Sequence, residues 1–130
     1  MTVVYLAGPM HNVLNCNAEF FREWKHKLTA KNFTVETPLD YDYDHSFDPR
    51  GYGTDEDYAA RMFDMRKAMA YSMEFICTKA DVLAVLPRWE RSDGAHAQVL
   101  VAWRMHLPAY TVANLEAFGL EAPRLARKNW

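Results

Sequence analysis

The sequence predicts an α/β fold, with a parallel sheet of four or five strands held between layers of helices. Three observations point there. Short, continuous apolar runs recur, as strands buried on both faces require. Segments with apolar residues at helical spacing lie between them. The two kinds alternate along the whole chain, β-α-β-α-β-α-β-α, the order of a parallel sheet covered on both sides. A chain of 130 residues has room for one domain, 1–130.

Each element has its own local reason. Val3-Val4-Tyr5-Leu6-Ala7 is short, β-branched and aromatic, and Gly8-Pro9 ends it, which predicts the first strand. Asn17 to Lys31 carries Phe20, Phe21, Trp24 and Leu28 on one helical face, with Asn17 as a candidate cap and Asn32 as the stop. Phe33 to Thr37 alternates and meets Pro38, giving strand two. From Asp40 to Asp57 no regular pattern is visible, and a loop of this length inside a small domain reads as a lid or an unstructured segment. The next helix spans about Glu56 to Thr78, with Met62, Met65, Met69, Met73 and Ile76 as its apolar stripe. Val82 to Leu86 is a buried-type strand closed by Pro87. A helix from Asp93 to His106 follows, its buried face marked by Ala95, Val99, Ala102 and Met105, and Pro108 lies beyond its end. Ala109 to Val112 is the last strand, and Leu115 to Phe118 a short helix.

Composition narrows the function classes. Half the residues are hydrophobic, a quarter are charged and the net charge is −2. That balance argues against a nucleic-acid polymer as partner, which needs a basic face. The two cysteines, Cys16 and Cys77, form no Cys-x-x-Cys pair and fit a reducing compartment. The first residues have no basic region before an apolar run, so they do not read as a signal peptide. No stretch reaches the ~18 apolar residues of a membrane span. The expectation is a cytoplasmic protein without membrane contact. The Asp40 to His45 run resembles a calcium loop but lacks its glycine and its closing glutamate, and the five histidines show no ligand spacing, so neither metal nor cofactor is expected.

In open parallel sheets ligands bind beyond the carboxyl ends of strands, where the strand order reverses. This rule selects Gly8-Pro9-Met10, Pro38 to Asp44, and Arg88 to Gly94. Ser92 falls where a loop becomes a helix. The free N–H groups of that first turn suit an anion, and Gly94 lets a phosphate approach the backbone. On geometry alone Ser92 reads first as a plain N-cap, the usual use of serine there. Asp93 lies beside the pocket, or only complements the helix dipole. Gln98, one turn in, borders the buried face and is either a pocket amide or a satisfied structural one. The Tyr5 hydroxyl could reach the crevice, or Tyr5 could be a core aromatic. Gly8 admits a ligand or simply makes a turn.

Several of these segments, taken together, resemble one family. Tyr5-Leu6-Ala7-Gly8-Pro9-Met10, Asn15-Cys16-Asn17 with Phe20, and Ile76-Cys77 followed by Ala80 to Pro87 are similar in order and spacing to the nucleoside 2-deoxyribosyltransferase and nucleotide N-glycosidase superfamily. Trp89, Ser92, Gly94 and Ala95 match its Trp-x-x-Ser-x-Gly-Ala pattern. The resemblance is closest to a small phage-associated branch and covers most of residues 3–112. It implies a flavodoxin-like or Rossmann-like fold, a homodimer or larger homo-oligomer, and a nucleoside or nucleoside 5′-monophosphate as ligand. It implies cleavage of an N-glycosidic bond through a glutamate that attacks the anomeric carbon, by the logic of retaining glycosidases. Tyr5 matches the tyrosine that positions that glutamate. Ser92 matches a serine found in the monophosphate hydrolases.

The departures carry as much weight. Gln98 stands where the resemblance places the nucleophilic glutamate, and Ser72 where it places a second acid. A neutral amide is a poor nucleophile and cannot stabilise an oxocarbenium-like cation as a charge does. Three explanations remain open: a protein that binds a nucleotide without cleaving it, an engineered Gln98, and hydrolysis through a different acid such as Asp93 or one from the 40–48 loop. A non-enzymatic phage accessory module that sequesters a nucleotide or contacts a host protein is the alternative class.

Overall fold

The computed structural model describes residues 1–10, 17–40 and 65–127. Four strands, β1 (Val3–Ala7), β2 (Thr34–Glu36), β3 (Val82–Val85) and β4 (Ala109–Thr111), form one all-parallel sheet in the order β2-β1-β3-β4. Among the described residues these α-helices accompany them: α1 (Ala18–Ala30), α2 (Met65–Thr78), α3 (Asp93–Arg104) and α4 (Val112–Phe118), with short 3-10 turns at Trp89–Arg91 and Gly119–Glu121 and a helical turn at 38–40. The result is the three-layer, Rossmann-like α/β arrangement that alternation predicts.

Alternation along β1 divides the core in two. Val4 and Leu6 point to one face, with Phe21 and Leu28 of α1 and Val112 and Leu115 of α4. Tyr5 and Ala7 point to the other, with Phe75 and Ile76 of α2 and Ala95, Val99 and Ala102 of α3. Strands buried on both faces carry no polar alternation, which is why β1 and β3 read as continuous apolar runs.

The ends of α1 and α3 have a shared explanation. Asn32 adopts a left-handed backbone, φ 71°. Phe33 N–H donates to Leu28 O and Asn32 N–H to Thr29 O, the paired bonds of a Schellman stop, and Phe33 packs in the same core as Leu28. His106 repeats the device at φ 60°, with Leu107 N–H to Ala102 O and His106 N–H to Trp103 O. Helix α3 therefore ends at Arg104, two residues before the expected His106.

Other expectations need correction. Asn17 precedes α1 at φ 62°, and its side chain makes no capping bond. Capping requires an extended backbone, and left-handed dihedrals turn the side chain from the free N–H groups. In α2 the methionine stripe is only partly the buried face. Met65 is 39% exposed, Met69 and Met73 are half-buried, and Ser72, Phe75 and Ile76 are buried. Met62 and the 41–57 segment lie outside the described residues. In α3, Met105 is 48% exposed because it falls at the cap, and Gln98 takes a place on the buried face.

The tail also supports the sheet. Leu125 N–H donates to Ala109 O at 2.7 Å, on the edge of β4 that no strand among the described residues covers. No helix among the described residues is long and apolar enough to cross a membrane.

Candidate functional site

The strand order reverses between β1 and β3, and in open parallel sheets the crevice at the carboxyl ends of such a pair is where ligands usually bind. Gly8 follows β1 there. A Cβ on Gly8 would come within 2.7 Å of Leu86 Cβ and Cδ1. Its lack of a side chain is thus explained by packing against Leu86, where the sequence left open a ligand approach or a turn. Pro9 beside it is half-buried.

The loop after β3 turns at Arg88, a non-glycine residue in the left-handed region, φ 70°. Trp89 anchors the following 3-10 turn. It is buried, and its ring lies 5.1 Å from that of His96 on α3. Ser92 then caps α3: its Oγ accepts from Ala95 N–H at 3.2 Å. The capping reading of Ser92 is therefore realised. That bond uses a lone pair and leaves the hydroxyl proton free to serve another acceptor. Asp93 is exposed in the first turn, where its charge complements the helix dipole.

Gly94 contrasts with Gly8. A Cβ on Gly94 would meet Met69 Cε at 3.5 Å and Ser92 Oγ at 4.0 Å, both ordinary contacts. Neither crowding nor a positive φ requires glycine at this position. Met69 links this turn to the interior. Its carbonyl accepts from Ser72 Oγ at 2.9 Å, and Ser72 Oγ accepts in turn from Gln98 Nε2 at 3.1 Å. Gln98 is 6% exposed and Ser72 4%. The two positions at which the sequence resemblance expects carboxylates are thus in direct contact, both neutral.

Tyr5 lies in the middle of β1, fully buried, with its ring centroid 5.8 Å from that of Phe75. It shares the α2–α3 face of the sheet with Ala95 and Val99, the face on which Gln98 is buried.

The structure adds a group that sequence reasoning passed over. Glu36, the last residue of β2, is in register with Tyr5. Its Oε2 accepts from Tyr71 OH of α2 at 2.9 Å, so the carboxyl lies on the same face as Tyr5, beside the helix that carries Ser72. Asp40 is close by. Its Oδ1 pairs with Lys25 Nζ of α1 at 2.9 Å, and its Oδ2 accepts from Thr37 N–H at 2.8 Å and Thr37 Oγ1 at 3.1 Å. Desolvation and the adjoining Asp40 push the Glu36 carboxyl above the usual range, against the opposing bond from Tyr71. Asp40 is also desolvated, but its bonds from Lys25, Glu36 and Thr37 prevail and hold it below the usual range.

A local signal for this corner was present. Thr37-Pro38-Leu39-Asp40 has the cap, the proline at the first helical position and the acid three residues after the cap that make a capping box. Residues 38–40 are helical, and Asp40 N–H returns a bond to Thr37 Oγ1 at 3.3 Å. Because Thr37 starts that turn, β2 closes at Glu36.

Remaining candidates fall elsewhere. Asp81 accepts from Val3 N–H at 2.7 Å at the amino end of the sheet, a structural role. His26 and His106 are exposed, and Cys77 is exposed on α2. Among the described residues, no group of three or more His, Cys, Asp or Glu could hold a metal ion. A cavity of about 280 Å³ opens at the amino edge of β4, lined in part by Trp103, His106, Arg124 and Arg127, at the other end of the sheet from Ser92.

No curated protein and no solved structure matches the chain. A family model does match, over residues 2–111, from the residue before β1 to the end of β4. Tyr5, Gly8, Glu36, Ser72, Ser92, Gly94 and Gln98 all lie within that span; Arg124 and Arg127 of the cavity lie beyond it. The chain belongs to the family described as a domain of unknown function, DUF4406.

Proposed function

We propose that the chain binds a nucleoside 5′-monophosphate at the carboxyl edge of its sheet, and that it is related to the N-glycosidases of deoxynucleotides. In this reading the phosphate rests on the first turn of α3, against the free N–H groups and the Ser92 hydroxyl. Gly94 gives it access to the backbone, Asp93 and the Gly8-Pro9 turn border it, and the sugar lies toward Gln98 and Tyr5. The observation that carries the reading is Gly94. It is a glycine in the first turn of a helix that neither backbone conformation nor packing demands, and a closely approaching ligand would explain it.

The ligand is a small molecule, and the protein acts as a homodimer or larger homo-oligomer in the cytoplasm. The test is calorimetric titration of deoxynucleosides and their 5′-monophosphates against the wild type and Gly94→Ala. Tighter binding of the monophosphates, lost in the variant, is expected. Equal affinity for both ligand types, unchanged by Gly94→Ala, would falsify the reading.

The Ser72–Gln98 bond favours a second reading, a non-catalytic module that sequesters the nucleotide. An amide and a hydroxyl that satisfy one another leave no nucleophile at either position. Chromatography for free base, after incubation with the monophosphates, separates the two.

A further inference from the structure

Resting on the nucleotide reading, we propose that Glu36 supplies the carboxylate this site lacks at positions 72 and 98, and that it acts as general base for a direct attack of water on the nucleotide. Its placement is the first argument. Glu36 is in register with Tyr5 and bonded to Tyr71, the residue next to Ser72 on α2. The Tyr71 ring lies 6.3 Å from Phe75, which in turn contacts Tyr5, so one aromatic layer joins Glu36 to the face on which Gln98 is buried.

Its surroundings are the second. Glu36 is neither buried away from water nor free in it; it is half-buried at the strand end. Tyr71 OH fixes one carboxylate oxygen, which orients the group. The groups facing it are Tyr71 from α2, Asp40 from the helical turn and, through Asp40, Lys25 from α1. Asp40 is committed as an anion by Lys25 and Thr37, and a fixed negative charge strengthens its neighbour as a proton acceptor. The raised proton affinity of Glu36 agrees with this. Neutral side chains at 72 and 98 add no repulsion.

The step balances without a cofactor. Water oxygen bonds to C1′ as the bond from C1′ to the base nitrogen breaks. The electron pair of that bond leaves with the base. The water proton passes to Glu36, and the departing base takes up a proton from Glu36 or solvent. The products are free base and the sugar 5-phosphate, formed with inversion at C1′, as expected when a carboxylate activates water rather than attacking.

The test uses the full chain and two separate measurements, binding of deoxynucleoside 5′-monophosphates by calorimetry and base release by chromatography. Wild type should bind and release base. Glu36→Gln, whose amide oxygen still accepts from Tyr71, should bind within about threefold and lose release by roughly 100-fold or more. Tyr71→Phe removes a bond that favours the charged form, so the pH midpoint of base release should move upward, a shift that simple loss of packing does not produce. That profile keeps the idea testable should Glu36→Gln melt early. Binding without release, release that survives Glu36→Gln, or an unmoved profile in Tyr71→Phe overturns the role of Glu36 and leaves the nucleotide reading standing. No binding of any monophosphate overturns both.

Discussion

Gln98 on α3 donates from Nε2 to Ser72 Oγ on α2, at 3.1 Å, with both side chains buried. Ser72 passes the chain on to Met69 O. Two carboxylates here would repel or share one proton. An amide and a hydroxyl instead form an uncharged bridge between the two helices on this face. Changes at positions 72 and 98 are therefore coupled. Ser72→Ala strands a buried amide and should cost roughly 1–3 kcal/mol. Adding Gln98→Leu should recover part of that loss, measured as a double-mutant cycle in urea.

Gln98→Glu tests the same contact with charge. A carboxylate in this buried position is disfavoured, so its pKa should rise. The sign follows: a carboxyl with a raised folded pKa loses stability as pH increases through that pKa. The variant should melt well below wild type at pH 8 and approach it at pH 5. Base release should rise above wild type in the nucleotide reading, because a carboxylate at 98 can attack the anomeric carbon.

The two glycines of the carboxyl edge should respond in opposite ways. Gly8→Ala forces a methyl against Leu86, whose Cβ cannot rotate away, and should cost about 1–3 kcal/mol. Gly94→Ala meets only ordinary contacts and lies within a helix, so stability should hold or rise by roughly 0.5–1 kcal/mol. Thermal melts of the pair distinguish a packing glycine from one kept for another reason.

Ser92→Ala has two readouts. Loss of the cap to Ala95 should destabilise the fold by about 1 kcal/mol. In the nucleotide reading, monophosphate binding should weaken by a further roughly 1–2 kcal/mol while nucleoside binding is spared. Calorimetry against both ligands separates the effects.

Asp40→Asn should show a pH-dependent loss. The Asp40 carboxyl is held below its usual range, so its contribution is present above the unfolded value and lost as pH falls through the folded one. The variant should be less stable by about 1 kcal/mol at pH 7, as for a lost capping bond, and should converge on wild type as acid protonates the Asp40 carboxyl, below its usual range. Glu36 has the opposite sign. Its raised carboxyl gains stability as pH falls, so Glu36→Gln should be at least as stable as wild type at pH 7. Urea midpoints across that range test both.

The fold was legible because its signals are local. Val3 to Ala7 and Val82 to Val85 carry unbroken apolar runs, and the same runs are the central strands. Ser92 was legible as a cap because serine before a helix has few other uses. What escaped needed partners distant in sequence. Glu36 looks like any polar residue at a strand end until Tyr71, 35 positions away, is placed against it. Gln98 was expected at the border of the buried face, because an amide is not counted as core; it lies inside because Ser72 satisfies it. The methionine stripe misled for the converse reason. Met65 fits the helical period, yet the sheet is covered by the later turns of α2, around Phe75 and Ile76.

The bond from Leu125 to Ala109 closes the last strand in a way the element order does not reveal. β4 is three residues long and ends the sheet, so its outward backbone groups are a template for a foreign strand. The C-terminal segment occupies that template. Cutting the chain after Ala122 would spare every helix and strand among the described residues, yet would leave that outward border of β4 open to pairing with another chain.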